Sequence, residues 1–226
     1  MKRIVVLTGA GMSAESGINT FRDADGLWEG HDVMEVASPQ GWYSNPDLVL
    51  DFYNQRRRRL FEVRPNRGHE LLASLEHTYS VEIITQNVDD LHERAGSKNV
   101  LHLHGELLKV RSTQHEHVVY RWEKDLIQGD LCESGSQLRP HIVWFGEAVP
   151  LLEKAVEITA SADILLIIGT SMQVYPAASL INYIKSETPI YFIDPKPAIR
   201  AQDFNNLTVI PEKAIKGMER FIDLIG

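Results

Sequence analysis

Cysteine is scarce in this sequence: among 226 residues there is one, Cys132. An intramolecular disulfide is therefore excluded, as is a zinc site built from paired cysteines. Basic charge is in deficit, with 23 Lys and Arg against 31 Asp and Glu, a formal net charge of -8. That balance offers no global attraction to phosphate backbones or anionic lipid, so neither nucleic acid nor membrane is expected as a partner, although a local basic patch could bind either. Long apolar runs are missing as well, and none approaches the roughly 20 residues that span a bilayer. The stretch Ile4 to Leu7 is too short for the core of a secretion signal and runs into Gly-Ala-Gly instead of a cleavage site. There is no internal repeat and no low-complexity tract. With 43% hydrophobic and 24% charged residues, the composition is that of an ordinary globular protein. A cytoplasmic, soluble monomer is the expectation.

What the sequence does contain is a series of short runs rich in Ile, Val and Leu. They are Ile4 to Thr8, Val81 to Thr85, Val100 to His104, Ile142 to Phe145, Ile164 to Ile168, Ile190 to Asp194 and Leu207 to Ile210. Continuous apolar runs suit strands buried on both faces of a parallel sheet. Helix-like stretches lie between most of them, including Asp89 to Gly96, Pro150 to Ala160 and Pro211 to Ile225. This alternation predicts an α/β fold, a doubly wound, mostly parallel Rossmann-like sheet. Two stretches interrupt it: about 30–76, with helical periodicity and no good strand, and about 111–137, polar and strand-poor. A smaller domain built from these two insertions is expected beside a core of about 1–29, 77–110 and 138–226.

The first strand leads into Gly9-Ala10-Gly11-Met12-Ser13-Ala14, a G-x-G-x-x-A pattern between a strand and a probable helix start. Gly9 allows a tight turn, Gly11 lets the backbone approach a pyrophosphate, Ala14 permits close helix packing, and the helix N-terminus offers N–H groups to an anion. A plain glycine turn fits the same residues. A dinucleotide-binding dehydrogenase should also carry an acid about 20 residues on, at the end of the second strand. The chain instead enters Phe21-Arg22-Asp23-Ala24-Asp25-Gly26-Leu27-Trp28, and the next strand begins near Val81, which weakens the hydride-transfer reading.

Six blocks taken together resemble the sirtuin family of NAD-dependent protein deacylases. They are Gly9 to Ile18, Thr20 to Asp23, Thr85 to Asp89, His102 to Glu106, Pro140 to Glu147 and Gly169 to Ser171, in the family's order and across nearly the whole chain. The resemblance implies that NAD is consumed as a co-substrate. An acyl-lysine carbonyl oxygen attacks the ribose carbon, nicotinamide leaves, and the acyl group ends on ADP-ribose. His104 matches the catalytic histidine, a general base toward a ribose hydroxyl, with an ordinary pKa near the working pH. His102, two residues away, would share its face if the strand continues, as a supporting group. A core histidine is what an isolated His104 would suggest.

The resemblance further implies a cofactor set of Gly9, Ala10, Gly11, Ala14, Glu15, Thr20, Phe21, Arg22, Trp28, Gln86, Asn87, Val88, Asp89, Gly169, Thr170, Ser171, Asp194, Pro195, Lys196 and Ala214. Within it, Asn87 and Asp89 hold the nicotinamide amide and ribose region, and Phe21 and Arg22 belong to a cofactor loop. The match loosens at Asp194-Pro195-Lys196, where the family often has an Asn-x-Glu pattern. On bare sequence Asn87 is equally a turn or cap residue and Asp89 a first-turn acid.

Tyr53 and Arg56 are three residues apart and share a helix face. This Tyr-x-x-Arg resembles the marker of the bacterial class III sirtuins, which remove succinyl and malonyl groups. A guanidinium fork and a phenol suit a terminal carboxylate. The competing reading is a solvated face of four arginines, Arg56 to Arg59, with Arg57, Arg58 and Arg59 as surface charge in either case. Acylated lysines of proteins or peptides are the implied partners. The segments with Val143, Phe145, Gly146 and Glu147, and with Val174 and Tyr175, would flank the peptide as an added strand.

The family's four zinc-binding cysteines are missing, with Ser112 where the first pair should begin and Cys132 alone near the second. His115, His117 and Cys132 copy no recognised zinc spacing, so no metal is expected. Val118, Val119, Tyr120, Trp122 and Leu126 should hold the second insertion instead. Two other readings stay open: a protein ADP-ribosyltransferase or NAD glycohydrolase using the same cleft, and a non-catalytic sensor of NAD or ADP-ribose.

Overall fold

The computed structural model describes residues 1–20, 27, 28 and 30–226, with the backbone alone for Leu27 and Ala201. The chain begins with β1 (Arg3–Thr8), α1 (Ala10–Ala14), the short strands β2 (Leu27–Trp28) and β3 (His31–Asp32), and helices α2 (Val33–Val36), α3 (Pro39–Ser44), α4 (Pro46–Glu62) and α5 (Arg67–Ser74). It continues through β4 (Ser80–Thr85), α6 (Leu91–Arg94), β5 (Val100–His102), β6 (Gly105–Ser112), β7 (Val119–Arg121) and β8 (Leu138–Ile142). Last come α7 (Leu152–Ala160), β9 (Ile164–Ile168), β10 (Ile190–Ile193), β11 (Leu207–Ile210) and α8 (Ala214–Ile225).

Six strands form one sheet in the order β11-β10-β9-β1-β4-β5, and every neighbouring pair is parallel. From β1 the chain moves to β4 and β5 on one side, then returns to β9 and builds outward through β10 and β11 on the other. The reversal falls between β1 and β9, so ligand chemistry is expected beyond the C-terminal ends of those strands. Both faces of the sheet are covered. Ile4 and Val6 pack with Leu72 of α5 and with Met218 and Phe221 of α8, whereas Val5 and Leu7 pack with Ala155 of α7 and with Leu180. Burial of each such aliphatic side chain contributes about 1.5–3 kcal/mol. The doubly wound, parallel Rossmann-like architecture expected from the apolar runs is the one observed.

Several local expectations differ. Residues 30–76 do not stay together: α2 to α4 share a separate apolar cluster with Val36, Val49, Phe52 and Leu60, while Leu72 and Leu75 join the sheet cluster beside Ile4 and Ile83. The apolar stripe of α5 is what takes it to the sheet. Instead of a strand at Ile142 to Phe145 there is β8, which ends at Ile142 and pairs antiparallel with β6; β7 completes a separate three-stranded sheet. Beyond Ile142 the chain turns because the Glu147 carboxylate accepts the Trp144 N–H at 2.8 Å and Gly146 adopts φ +91°. The helix expected from Asp89 to Gly96 shortens to Leu91–Arg94, since the Asp89 carboxylate accepts the Leu91 N–H at 3.2 Å and holds Asp89 outside it.

Strand β5 stops at His102, so the condition for His102 and His104 to share a strand face is not met. The chain turns through Leu103 and His104 and leaves through Gly105, at φ +87°. A Cβ on Gly105 would run into the His141 carbonyl oxygen. Only glycine permits this corner, and the corner is what carries His104.

Candidate active site

Two glycine turns meet at the reversal point. The Gly9 N–H donates to the Ile168 carbonyl at 3.0 Å, and the Gly11 N–H donates to the Gly169 carbonyl at 2.8 Å. A Cβ on Gly11 would stand 2.6 Å from the Gly169 Cα, so the pattern lets two backbones touch. The N–H groups of Gly11 and Met12 are used within the protein, the second donating to the Gly9 carbonyl, so the anion-binding capacity of α1 is smaller than the motif suggested. Ala10 and Ala14 are the first and last residues of α1. Glu15 is committed elsewhere, since its carboxylate accepts the Ile215 N–H at 3.0 Å in the first turn of α8. That is a favourable place for an acid.

Beyond β4, Gln86 donates its side-chain amide to the Thr170 hydroxyl at 3.1 Å, bridging the ends of β4 and β9. Thr170 also accepts the Met172 N–H, and Ser171 is half-buried beside it. Asn87 donates to the Gly9 carbonyl at 3.1 Å and to the Ser13 hydroxyl at 3.2 Å. Ser13 in turn donates to Asp89 at 2.9 Å. Ser13 is thus the link that ties the glycine turn to the amide and the acid, and the sequence reading gave it no role; its place one residue before Ala14, inside the motif, was the available signal. Burial pushes the Asp89 carboxyl up to about 6, against the opposing hydrogen bonds from Ser13 and Leu91.

His104 is half-buried, and its carbonyl accepts the Val143 N–H at 2.9 Å. Burial holds its imidazole below the ordinary value, while a hydrogen bond to the Gln86 main chain works in the other direction. The ring is therefore neutral at pH 7, with one nitrogen protonated and the other carrying a lone pair. His102 is different. Its Nδ1 lies 3.1 Å from the Asn87 carbonyl and its Nε2 lies 2.7 Å from Glu93. Burial alone would lower its pKa, but Glu93 reverses this and the ring is held above its ordinary value. Both partners accept, which favours the doubly protonated ring, and His102 braces Asn87 with neither ring nitrogen left free.

After β10, Asp194 is buried and its carboxylate accepts the Lys196 N–H at 2.8 Å, while Pro195 and Lys196 are exposed. Ala214 is buried against the sheet as the first residue of α8. Thr20 closes the first described segment; Phe21 and Arg22 lie outside the described residues.

On α4, Tyr53 is fully buried and its hydroxyl accepts the Trp144 indole N–H at 3.1 Å. The Arg56 guanidinium lies 3.1 Å from the centre of the Phe52 ring and 5.1 Å from that of Trp28, and donates to the Phe52 carbonyl at 2.6 Å. Trp28 packs edge-on against Phe52 and Tyr53, so it belongs with the α4 residues rather than with the rim of the sheet. Arg57 is not surface charge. It is 1% exposed and donates to the Leu107 carbonyl and to Asn54. Arg58 and Arg59 are exposed, paired with Asp125 and Glu62.

The Val143 to Glu147 segment is more occupied than expected. The N–H groups of Val143 and Phe145 already donate to the carbonyls of His104 and Ala37. The Val88 carbonyl accepts the Leu107 N–H at 2.8 Å. Glu147 binds Arg139 at 2.6 Å and Arg111 at 3.2 Å, so its side chain organises the fold of the loop. What the segment presents outward is the Phe145 side chain and Gly146, and Tyr175, next to half-buried Val174, is likewise exposed. Beside the three-stranded sheet, Leu50 of α4, Val110, Leu126, Cys132 and Leu138 form a cluster onto which Val118, Tyr120 and Trp122 pack, while Val119 is exposed. Among the described residues, no three His, Cys, Asp or Glu side chains gather to hold a metal ion.

The rim of the sheet thus combines carboxylates (Asp89, Asp194), amides and hydroxyls (Gln86, Asn87, Thr170, Ser171) and bare glycine backbone. Ribose hydroxyls need acceptors and a pyrophosphate needs donors, and this set supplies both. A model of the Sir2 family matches residues 9–176. An NAD-dependent protein deacylase from Helicobacter pylori is 64% identical over 219 residues, 97% of this chain and 95% of its own length. A solved Sir2 homologue in complex with NAD superposes with a TM-score of 0.88 at 40% identity, covering 99% of this chain and 89% of its own. A Sir2 bound to acetylated peptide gives a TM-score of 0.80 at 30% identity, over 99% and 93% of the two chains. The family model takes in residues 9–176 and the structural likeness extends over nearly the whole chain: this chain belongs to the Sir2, or sirtuin, family.

Proposed function

We propose that the chain is an NAD-dependent protein-lysine deacylase, passing an acyl group from lysine to ADP-ribose with release of nicotinamide, and preferring succinyl and malonyl groups while accepting acetyl. The observation that carries this is a neutral, half-buried His104 on a glycine corner, next to the Gln86–Asp89 segment. NAD would supply a ribose whose bond to nicotinamide is the one broken.

The chain's own residues divide the work. Thr170 and Ser171 would hold the pyrophosphate and the adenosine side, with Gly9, Gly11 and Gly169 leaving room for it beside the backbone, and Asp194 the ribose hydroxyls there. Asn87 and Asp89, locked together through Ser13, would hold the nicotinamide end. His104 accepts a hydroxyl proton on its free ring nitrogen. Tyr53 and Arg56 would receive the acyl carboxylate, with Trp28 and Phe52 as apolar walls. Mass spectrometry of succinyl-, malonyl- and acetyl-lysine peptides incubated with NAD tests this. The expected result is acyl loss that requires NAD and is matched mole for mole by nicotinamide, faster for the two acidic groups. Acyl loss without NAD, or NAD cleavage without acyl loss, would refute it.

A further inference from the structure

Trp144 is 2% exposed and gives its indole N–H to the Tyr53 hydroxyl. An indole N–H only donates, so the phenol oxygen accepts there and its own proton must go to another group. Among the described residues no acceptor faces that proton. Burial keeps the phenol above its ordinary pKa, so the proton is present at neutral pH.

The indole is itself held firmly. The Arg139 guanidinium lies 3.3 Å from the centre of its ring, and the Trp144 N–H of the main chain donates to Glu147 at 2.8 Å. Glu147 binds Arg139 through both carboxylate oxygens, at 2.6 and 3.1 Å. Trp42 packs against the indole as well, with ring centres 5.8 Å apart. The indole cannot swing away from Tyr53 without disturbing an ion cluster that is largely buried.

We propose that Trp144 is a positioning residue for acyl selectivity, its N–H fixing the Tyr53 hydroxyl so that the phenol proton is directed to the carboxylate of an acidic acyl group. This rests on the assignment of Tyr53 and Arg56 to the acyl group. A hydroxyl with one accepted bond already made is polarised and restricted in rotation, which strengthens its bond to an anion.

The test is the ratio of kcat/KM for a succinyl-lysine peptide to that for the matched acetyl-lysine peptide, measured with NAD. Damage common to both substrates cancels in this ratio. The variants are Tyr53→Phe, Trp144→Phe, the double variant, and Arg56→Met. Because Trp144→Phe leaves space in a packed region, a second replacement at 144 uses benzothienylalanine, which keeps the shape of tryptophan and lacks the N–H. Both replacements at 144 are expected to lower the ratio about tenfold, the effect of weakening one charge-assisted hydrogen bond. The double variant is expected to match Tyr53→Phe alone. An unchanged ratio on loss of the N–H, or independent losses that multiply in the double variant, would overturn the role of Trp144. Should the wild type show no preference for succinyl and Arg56→Met leave the ratio unmoved, the acyl assignment itself fails. A preference lost in Arg56→Met but kept in both 144 variants sinks the Trp144 role alone.

Discussion

Replacing His104 by alanine is expected to lower kcat for succinyl-lysine removal by about a thousandfold, within the range that a positioned general base contributes. NAD binding should change little, because the rim residues that would hold it are on other strands. The basis is physical. Burial keeps the imidazole below its ordinary pKa of 6.5, so at pH 7 it is neutral and its lone pair is available. The pH dependence follows with a definite sign: acid protonates the ring and removes the lone pair, so kcat/KM should stay level through pH 7 and fall below the free-imidazole range. Asp89, pushed up to about 6, loses its negative charge over the same acid range and steepens the fall. Nicotinamide release measured from pH 5 to 8 reads this directly. Turnover by His104→Ala near the wild-type rate would remove the histidine from the reaction.

Arg56→Met is expected to cut removal of succinyl far more than removal of acetyl, lowering the ratio of the two kcat/KM values by about a hundredfold. Methionine keeps the length and apolar stem of the side chain and deletes the cationic fork. That fork is enclosed by Phe52 and Trp28, so its charge is poorly screened by water and a carboxylate beside it gains more than it would at an open surface. Arg56→Lys should recover part of the preference through a single point charge without the paired geometry. Equal losses on both acyl groups would dismiss the carboxylate clamp.

The parallel sheet was readable in the sequence because strands buried on both faces have unbroken apolar runs, as Ile164–Ile168 does. The antiparallel sheet was not. In β6 the apolar positions are interrupted by Glu106, Lys109 and Arg111, whose partners, Glu106 with Lys109 and Arg111 with the distant Glu147, appear only in three dimensions. The Ile142–Phe145 run misled for a related reason, since a carboxylate three residues after Trp144 captures its N–H and bends an otherwise strand-like segment. The glycine turn between β1 and α1, set by local geometry, was legible, whereas the His104–Gly105 corner lay at the end of the Val100 to His104 run that reads as strand. Site residues set by long-range contact were not legible: Ser13 bridging to Asp89, Glu15 turned to α8, and Arg57 drawn inside by Leu107 and Asn54. A run of four arginines gives no hint which one is buried, because that depends on where α4 meets β6.

A crystal structure with a non-cleavable NAD analogue and a succinyl-lysine peptide puts the whole proposal at risk in one measurement. The expected picture has the free ring nitrogen of His104 within hydrogen-bond distance of a hydroxyl on the nicotinamide-side ribose, with the acyl carbonyl on that sugar's opposite side. A His104 ring facing away from the sugar, or separated from it by protein, would contradict the assignment.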